Sequence, residues 1–267
     1  MIFLFSDYER FCEDLADSGI FSLSAKEVID KNPKKFLILK HDIEAKPKNA
    51  LKIAKIEAKF GHKASYYVHF DILKSNLELF KEIQNLGHEV SYHYDVLDSN
   101  RGDFKKAKEE FDKNIAFFEK NGFKIKSVCQ HGNPLIKRNG YTSNRDFFRK
   151  FGSEYKFRDI VVNFKEEVGD FIYISDVGYQ WQIIPSPHTA DINPQKTIKT
   201  SYEEMLNLAK KNSLIISSHP HRYFNTKVEA YFKHGVFNII KNIAKIFYKT
   251  PLGKKILSKF YYLAKRF

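Results

Sequence analysis

Eight apolar runs, rich in β-branched and aromatic residues, recur along this chain, and most are separated by longer amphipathic stretches. The runs Phe36–His41, Ser65–Phe70, Glu89–His93, Ser127–His131, Ile160–Asn163, Phe171–Ser175, Gln182–Pro185 and Leu214–His219 predict strands. Helical periodicity covers residues 47–60, 75–86, 102–120, 143–151 and 201–211, and a further helix near 7–17 precedes the first strand. Pro47 suits a first helical position. Gly61, Gly87 and Gly122 fall just past three helices, where a left-handed cap is wanted. Strand–helix–strand alternation of this kind demands a mostly parallel sheet, open or closed into a barrel.

Composition narrows the class. At 43% hydrophobic and 29% charged, the chain has an ordinary globular make-up, which excludes collagenous, disordered and disulfide-scaffold readings. No stretch approaches the roughly 20 apolar residues of a spanning helix. The opening Met-Ile-Phe-Leu-Phe is too short for a signal-peptide core. Two cysteines, Cys12 and Cys129, fit a reducing compartment, so a cytoplasmic location is expected. The net charge of +13 suggests nucleic acid until it is located: residues 226–267 carry ten Lys or Arg against one acid, Glu229. The body, residues 1–225, is nearly balanced and has no basic stripe, so no nucleic-acid partner is expected.

The histidines carry the chemistry. His41, His69, His93, His131 and His219 each fall at or near the C-terminal end of a predicted strand. In α/β folds strand C-termini form one mouth, where active sites are built. A single strand-end histidine is usually a packed core residue; five of them, three beside carboxylates, are hard to place that way. In Lys40-His41-Asp42-Ile43-Glu44, the two carboxylates project to one side while Ile43 turns away. They would repel unless a cation or a shared proton separated them, or unless they cap the helix that opens at Pro47. Carboxylate and imidazole from different strands make the layout of a catalytic divalent-metal site. Cys129, inside a strand, is taken as buried rather than as a nucleophile.

Together these segments resemble the polysaccharide deacetylase family, the NodB-type carbohydrate esterases, in divergent form. The family's Thr-Phe-Asp-Asp motif is similar to Lys40-His41-Asp42-Ile43, and its Gly-His-Glu-Ile-Gly-x-His run to Gly87–His93. Gln130-His131-Gly132-Asn133-Pro134 sits where the family has an Arg-containing motif. Asp176 and Trp181 resemble a fourth motif, a charge and an aromatic wall, and Ser217-Ser218-His219-Pro220 a fifth. Three departures stand out. Ile43 replaces the family's metal-binding Asp, Leu97 replaces its second metal histidine, and the third motif's Arg is absent.

The resemblance implies a distorted (β/α) barrel of about seven strands over residues 1–225. It implies hydrolysis of an N-acyl group, acetyl or formyl, from a sugar, using a divalent metal, most simply zinc. Asp42 would be the base and His219 the acid, with Glu44, His93 and His131 holding the metal. Asp42 as the carboxylate ligand is the alternative. Asn133, Asp176, Trp181 and Tyr92 would contact substrate, Trp181 being equally suited to core packing. A catalytically inactive carbohydrate-binding module on the same barrel is the competing function. The tail, 226–267, reads as two basic amphipathic helices: Val236, Ile239, Ile240, Ile243 and Phe247, then Leu252, Ile256, Leu257, Phe260 and Leu263, beside nearly uniform positive charge. Such helices suit an anionic membrane surface. The expected setting is therefore cytoplasmic and peripheral, on the inner face of the cell membrane, with an acylated saccharide, free or lipid-linked, as substrate.

Overall fold

In the computed structural model, residues 3–133 and 136–232 are described. A short strand β1 (Phe3–Leu4) leads into α1 (Phe5–Asp17) and α2 (Ala25–Lys31). Then follow β2 (Leu37–Ile43), α3 (Pro47–Lys59), β3 (Ala64–Val68), α4 (Phe70–Ser75), α5 (Leu77–Asn85), β4 (Glu89–Tyr94), α6 (Val96–Ser99), α7 (Phe104–Lys120) and β5 (Ser127–Gln130). The remainder is α8 (Arg145–Phe151), β6 (Arg158–Asp159), α9 (Phe164–Val168), β7 (Ile172–Ser175), β8 (Gln182–Ile183), β9 (Ile198–Lys199), α10 (Tyr202–Lys211), β10 (Leu214–Ser218) and β11 (Tyr223–Phe224).

The main sheet has the order β6-β5-β4-β3-β2-β10-β7-β8-β9. Its first seven strands are parallel, matching the seven expected, and β8 and β9 extend it antiparallel beyond β7. Strand β1 pairs separately with β11. Each parallel step needs a crossover, which is why a helix or a helical turn stands between most consecutive strands. Gly87, after α5, takes φ +96°, as its cap position demanded.

Alternation along the strands gives the sheet two faces of different chemistry. One face presents Leu37, Leu39, Ile43, Val90, Tyr92, Tyr94 and Ile216, which pack under α1, α3, α5, α7 and α10 as the larger core. The other presents Ile38, Tyr67, Cys129, Tyr173 and Ile215, packed with Ala25 and Val28 of α2 and Phe164 of α9. Toward the C-terminal strand ends this second face turns polar, with Lys40, Asp42, Ser91, His93 and Ser217 all buried. That polar end is the mouth.

Several local expectations shift. Residues 160–163 are not a strand, because the Asp159 carboxylate accepts the N–H groups of Val161 (2.7 Å) and Val162 (2.8 Å) and turns the chain there. The strand expected to run to Phe70 stops at Val68, and α4 starts at Phe70 with His69 as its N-cap. Helix α2 was not expected from the sequence; it opens on a capping box in which the Ser24 side chain accepts the Glu27 N–H and Glu27 accepts the Ser24 N–H. The tail helices from Val236 onward lie outside the described residues. Among the described residues no helix is long and apolar enough to cross a membrane.

Candidate active site

His93 ends β4, His131 follows β5 and His69 follows β3, so three neighbouring strands deliver three imidazoles to one place. Ring centroids are 4.7 Å apart for His69–His131, 5.0 Å for His69–His93 and 5.3 Å for His93–His131. One ligand atom from each lies within 4.8 Å of the others. The Nδ1 of His93 is 3.1 Å from the Cys129 carbonyl, which accepts its proton and leaves Nε2 as the outward lone pair. His93 Nε2 and both nitrogens of His131 are buried without a hydrogen-bond partner. Buried polar atoms are rarely left so, and a metal would satisfy them.

Glu44 reaches this cluster from the end of β2. Its Oε1 lies 3.0 Å from His131 Nε2, at ion-pair distance, and 3.9 Å from His93 Nε2. Burial opposes its ionisation, but His131 and His93 outweigh that and hold its carboxyl well below the usual range.

His219, just after β10, faces the same point, with Nε2 3.8 Å from Glu44 Oε1. Its other nitrogen, Nδ1, donates to Asp176 Oδ1 at 2.7 Å, while its backbone N–H donates to Asp176 Oδ2 at 2.9 Å. Arg222 Nη1 donates to Asp176 Oδ1 at 2.8 Å. Burial would raise the Asp176 carboxyl, yet His219 and Arg222 together keep it below its ordinary value. The ring is thereby fixed in the tautomer that presents Nε2 to the mouth.

Asp42 lies one layer deeper, with Oδ1 3.9 Å from His93 Nδ1. Both its oxygens accept from Lys40 Nζ, at 2.6 and 2.5 Å, and the same ammonium donates to Ser217 Oγ at 3.1 Å. Lys40 is fully buried. Burial disfavours both charges, but each partner outweighs it for the other, so Asp42 is held well below its usual range and Lys40 well above. The pair answers the repulsion expected between Asp42 and Glu44: a lysine on the same strand face supplies the cation. The N-cap of α3 is Lys46, whose side chain makes no capping hydrogen bond.

Three substrate contacts expected from sequence are corrected. Trp181 is 1% exposed, edge-on to Phe3 at 5.3 Å and against Tyr202 at 5.7 Å, so it is core and offers no ring face to a sugar. Tyr92 is also 1% exposed, on the opposite strand face from His93, with its hydroxyl accepting from Asn114 at 2.7 Å. Asp176 serves His219 and Arg222 rather than substrate. Asn133 is buried beside the cluster, its carbonyl accepting from Arg138 at 2.9 Å. His41 leaves the mouth as well: on the outer face it meets Glu57 Oε1 at 2.6 Å and Ser218 Oγ at 2.8 Å. The Cys129 thiol is buried and pushed up by that burial, so it is no nucleophile. Sequence reasoning noticed His69 but gave it no role, because the strand was drawn through it.

No protein-family model matches the chain, and no curated protein matches it. Solved structures do. A Streptococcus mutans CE4 esterase overlaps 75% of this chain and 80% of its own at 17% identity and a TM-score of 0.43. A family 4 carbohydrate esterase from Streptomyces lividans, in complex with acetate, overlaps 70% and 79% at 14% identity and 0.39. The Bacillus subtilis peptidoglycan deacetylase PdaC overlaps 79% and 98% at 12% identity and 0.39. The overlap is loose, and the chemistry rests on the side chains described above.

Proposed function

We propose that the chain is a metal-dependent hydrolase that removes an N-acyl group from a sugar. The observation that carries this is the buried, unsatisfied nitrogens of His93 and His131, converging with His69 and Glu44 beside an aspartate-oriented His219. That donor set, rich in imidazole with one carboxylate, suits zinc or a similar divalent ion. Such an ion would polarise the acyl carbonyl and lower the pKa of a bound water. In this reading Asp42, whose carboxyl is held well below its usual range, would take the water's proton. His219 is placed to protonate the leaving amine, a step that a sugar amine requires because it departs poorly as an anion. Asp176 keeps Nε2 of His219 turned toward the mouth. Glu44 helps to hold the metal rather than acting as base, because its Oε1 sits among the Nε2 atoms of three imidazoles.

Metal analysis of purified protein, followed by acetate release from N-acetylated oligosaccharides with and without chelator, tests this reading. Bound divalent metal and chelator-sensitive release are expected. Sugar binding without turnover across a broad panel would favour the inactive binding module instead. A lipid-linked acceptor, delivered at a membrane by the basic tail, remains part of the proposal and is tested separately below.

A further inference from the structure

A second set of ligand-type atoms lies directly below the histidine cluster. Asp42, His93 and Cys129 each offer one atom within 4.8 Å of the other two, and all three are buried. On spacing alone this inner trio is as suited to a metal as the outer one. It already faces a cation, however. Lys40 rises from the same strand face as Asp42, two residues earlier, and its ammonium engages both Asp42 oxygens and Ser217 Oγ. It also interacts with the Cys129 thiol, and it lies 5.4 Å from the centre of the Tyr67 ring. His93, the residue shared by both trios, turns its Nδ1 to the Cys129 carbonyl and so commits Nε2 to the outer set.

We propose that Lys40 is a built-in cation that takes the place of a metal in the inner trio, leaving the outer cluster as the single metal position. The inference rests on the proposed metal-binding role of the outer cluster. Its consequence is a division of labour. Because Lys40 already neutralises Asp42, that carboxylate is not drawn into metal coordination, while Glu44 ligates. A divalent ion at Asp42 would have to share the carboxylate with an ammonium at hydrogen-bond distance, and in a buried site those two like charges repel strongly. Lys40 is thus a positioning residue: fully buried, it touches neither substrate nor metal.

Cobalt provides the readout, since a thiolate ligand gives a charge-transfer absorption that imidazole and carboxylate ligands do not. In the full-length protein, the wild type should bind about one equivalent of cobalt with no thiolate band. Lys40→Met should gain that band and bind additional cobalt through Asp42 and Cys129, the two members of the inner trio that the outer cluster does not use. A wild-type thiolate band would overturn the proposal, as would a folded Lys40→Met protein with neither the band nor added metal. Should Lys40→Met fail to fold, Cys129→Ala in the wild-type background still decides. Unchanged cobalt content and affinity are expected, and lost binding would refute the inner trio's exclusion. Absence of bound cobalt in the wild type would remove the outer site alone, because the band gained by Lys40→Met reports on the inner trio independently.

Discussion

Asp176→Asn tests whether His219 works as an oriented acid. The carboxylate accepts three hydrogen bonds, from the His219 ring, the His219 backbone N–H and Arg222. An amide has only one acceptor atom. If its oxygen takes the His219 ring and Arg222, its NH₂ faces the His219 N–H; if it flips, the NH₂ faces both the ring and the guanidinium. Either way donors oppose donors, and a charge-assisted bond is lost. Such bonds contribute about 1.5–3 kcal/mol. If the whole loss is felt in the transition state, kcat/KM falls roughly 10- to 150-fold, at about 1.36 kcal/mol per decade. His219→Ala should cost more, ~10²–10⁴-fold, as removal of a general acid does. Because Asp176 acts through His219, the double variant should be no slower than His219→Ala alone. The assay is initial-rate acetate release from an N-acetylated chito-oligosaccharide, with circular dichroism as a check on folding. Wild-type kcat/KM in Asp176→Asn, or losses that multiply in the double variant, would refute the coupling.

Glu44→Gln and His131→Ala should each lower the zinc content measured by mass spectrometry, whereas Asp42→Asn should abolish turnover while leaving bound metal in place. Loss of metal from Asp42→Asn would instead make Asp42 a ligand. Glu57, buried against His41, Tyr8 and Tyr66, has its carboxyl lowered from 4.5 to about 2, since His41 and its other partners outweigh burial. A carboxyl depressed in the folded state stabilises fully above pH 4.5, and the benefit disappears as pH falls from 4.5 toward 2. That shift corresponds to about 3 kcal/mol. Urea midpoints should therefore drop through that window in the wild type and less steeply in Glu57→Gln; parallel curves would remove Glu57 as the cause. Deleting residues 230–267 should abolish salt-sensitive co-sedimentation with anionic liposomes, and unchanged partitioning would rule out the tail as a membrane anchor.

The parallel sheet was legible because its strands are short apolar runs with helices of the right period between them. Residues 160–163 misled because Ile-Val-Val is as apolar as any strand, and a side-chain-capped turn leaves no periodic trace. The mouth was legible in outline: Asp42, Glu44, His93, His131 and His219 do converge. The rest depended on facts that sequence spacing does not carry. His69 joins only because β3 ends a residue before it. His41 leaves because it sits on the opposite strand face, one position from Asp42. Trp181 is core because Phe3, from the far end of the chain, covers it together with Tyr202, and Tyr92 because Phe111, Phe118 and Asn114 of α7 close over it. The role of Lys40 was hidden in plain view, since a lysine inside an apolar strand reads as an edge residue until its partner two positions on is seen to be buried with it.

The two-faced strand β2 ties folding fidelity to catalytic competence. Lys40 and Asp42 point to the mouth side while Leu39 and Ile43 point to the helices. A pairing error of one residue would exchange those sides. The ammonium and the carboxylate would then be pressed into the apolar helix layer, and leucine and isoleucine would enter the polar pocket. Moving that ion pair away from Ser217 and in among apolar side chains is costly enough that such a misaligned sheet should not persist. Charged residues whose positions suit the proposed reaction thus also serve as a proofreading device during assembly, rejecting sheets that close out of step.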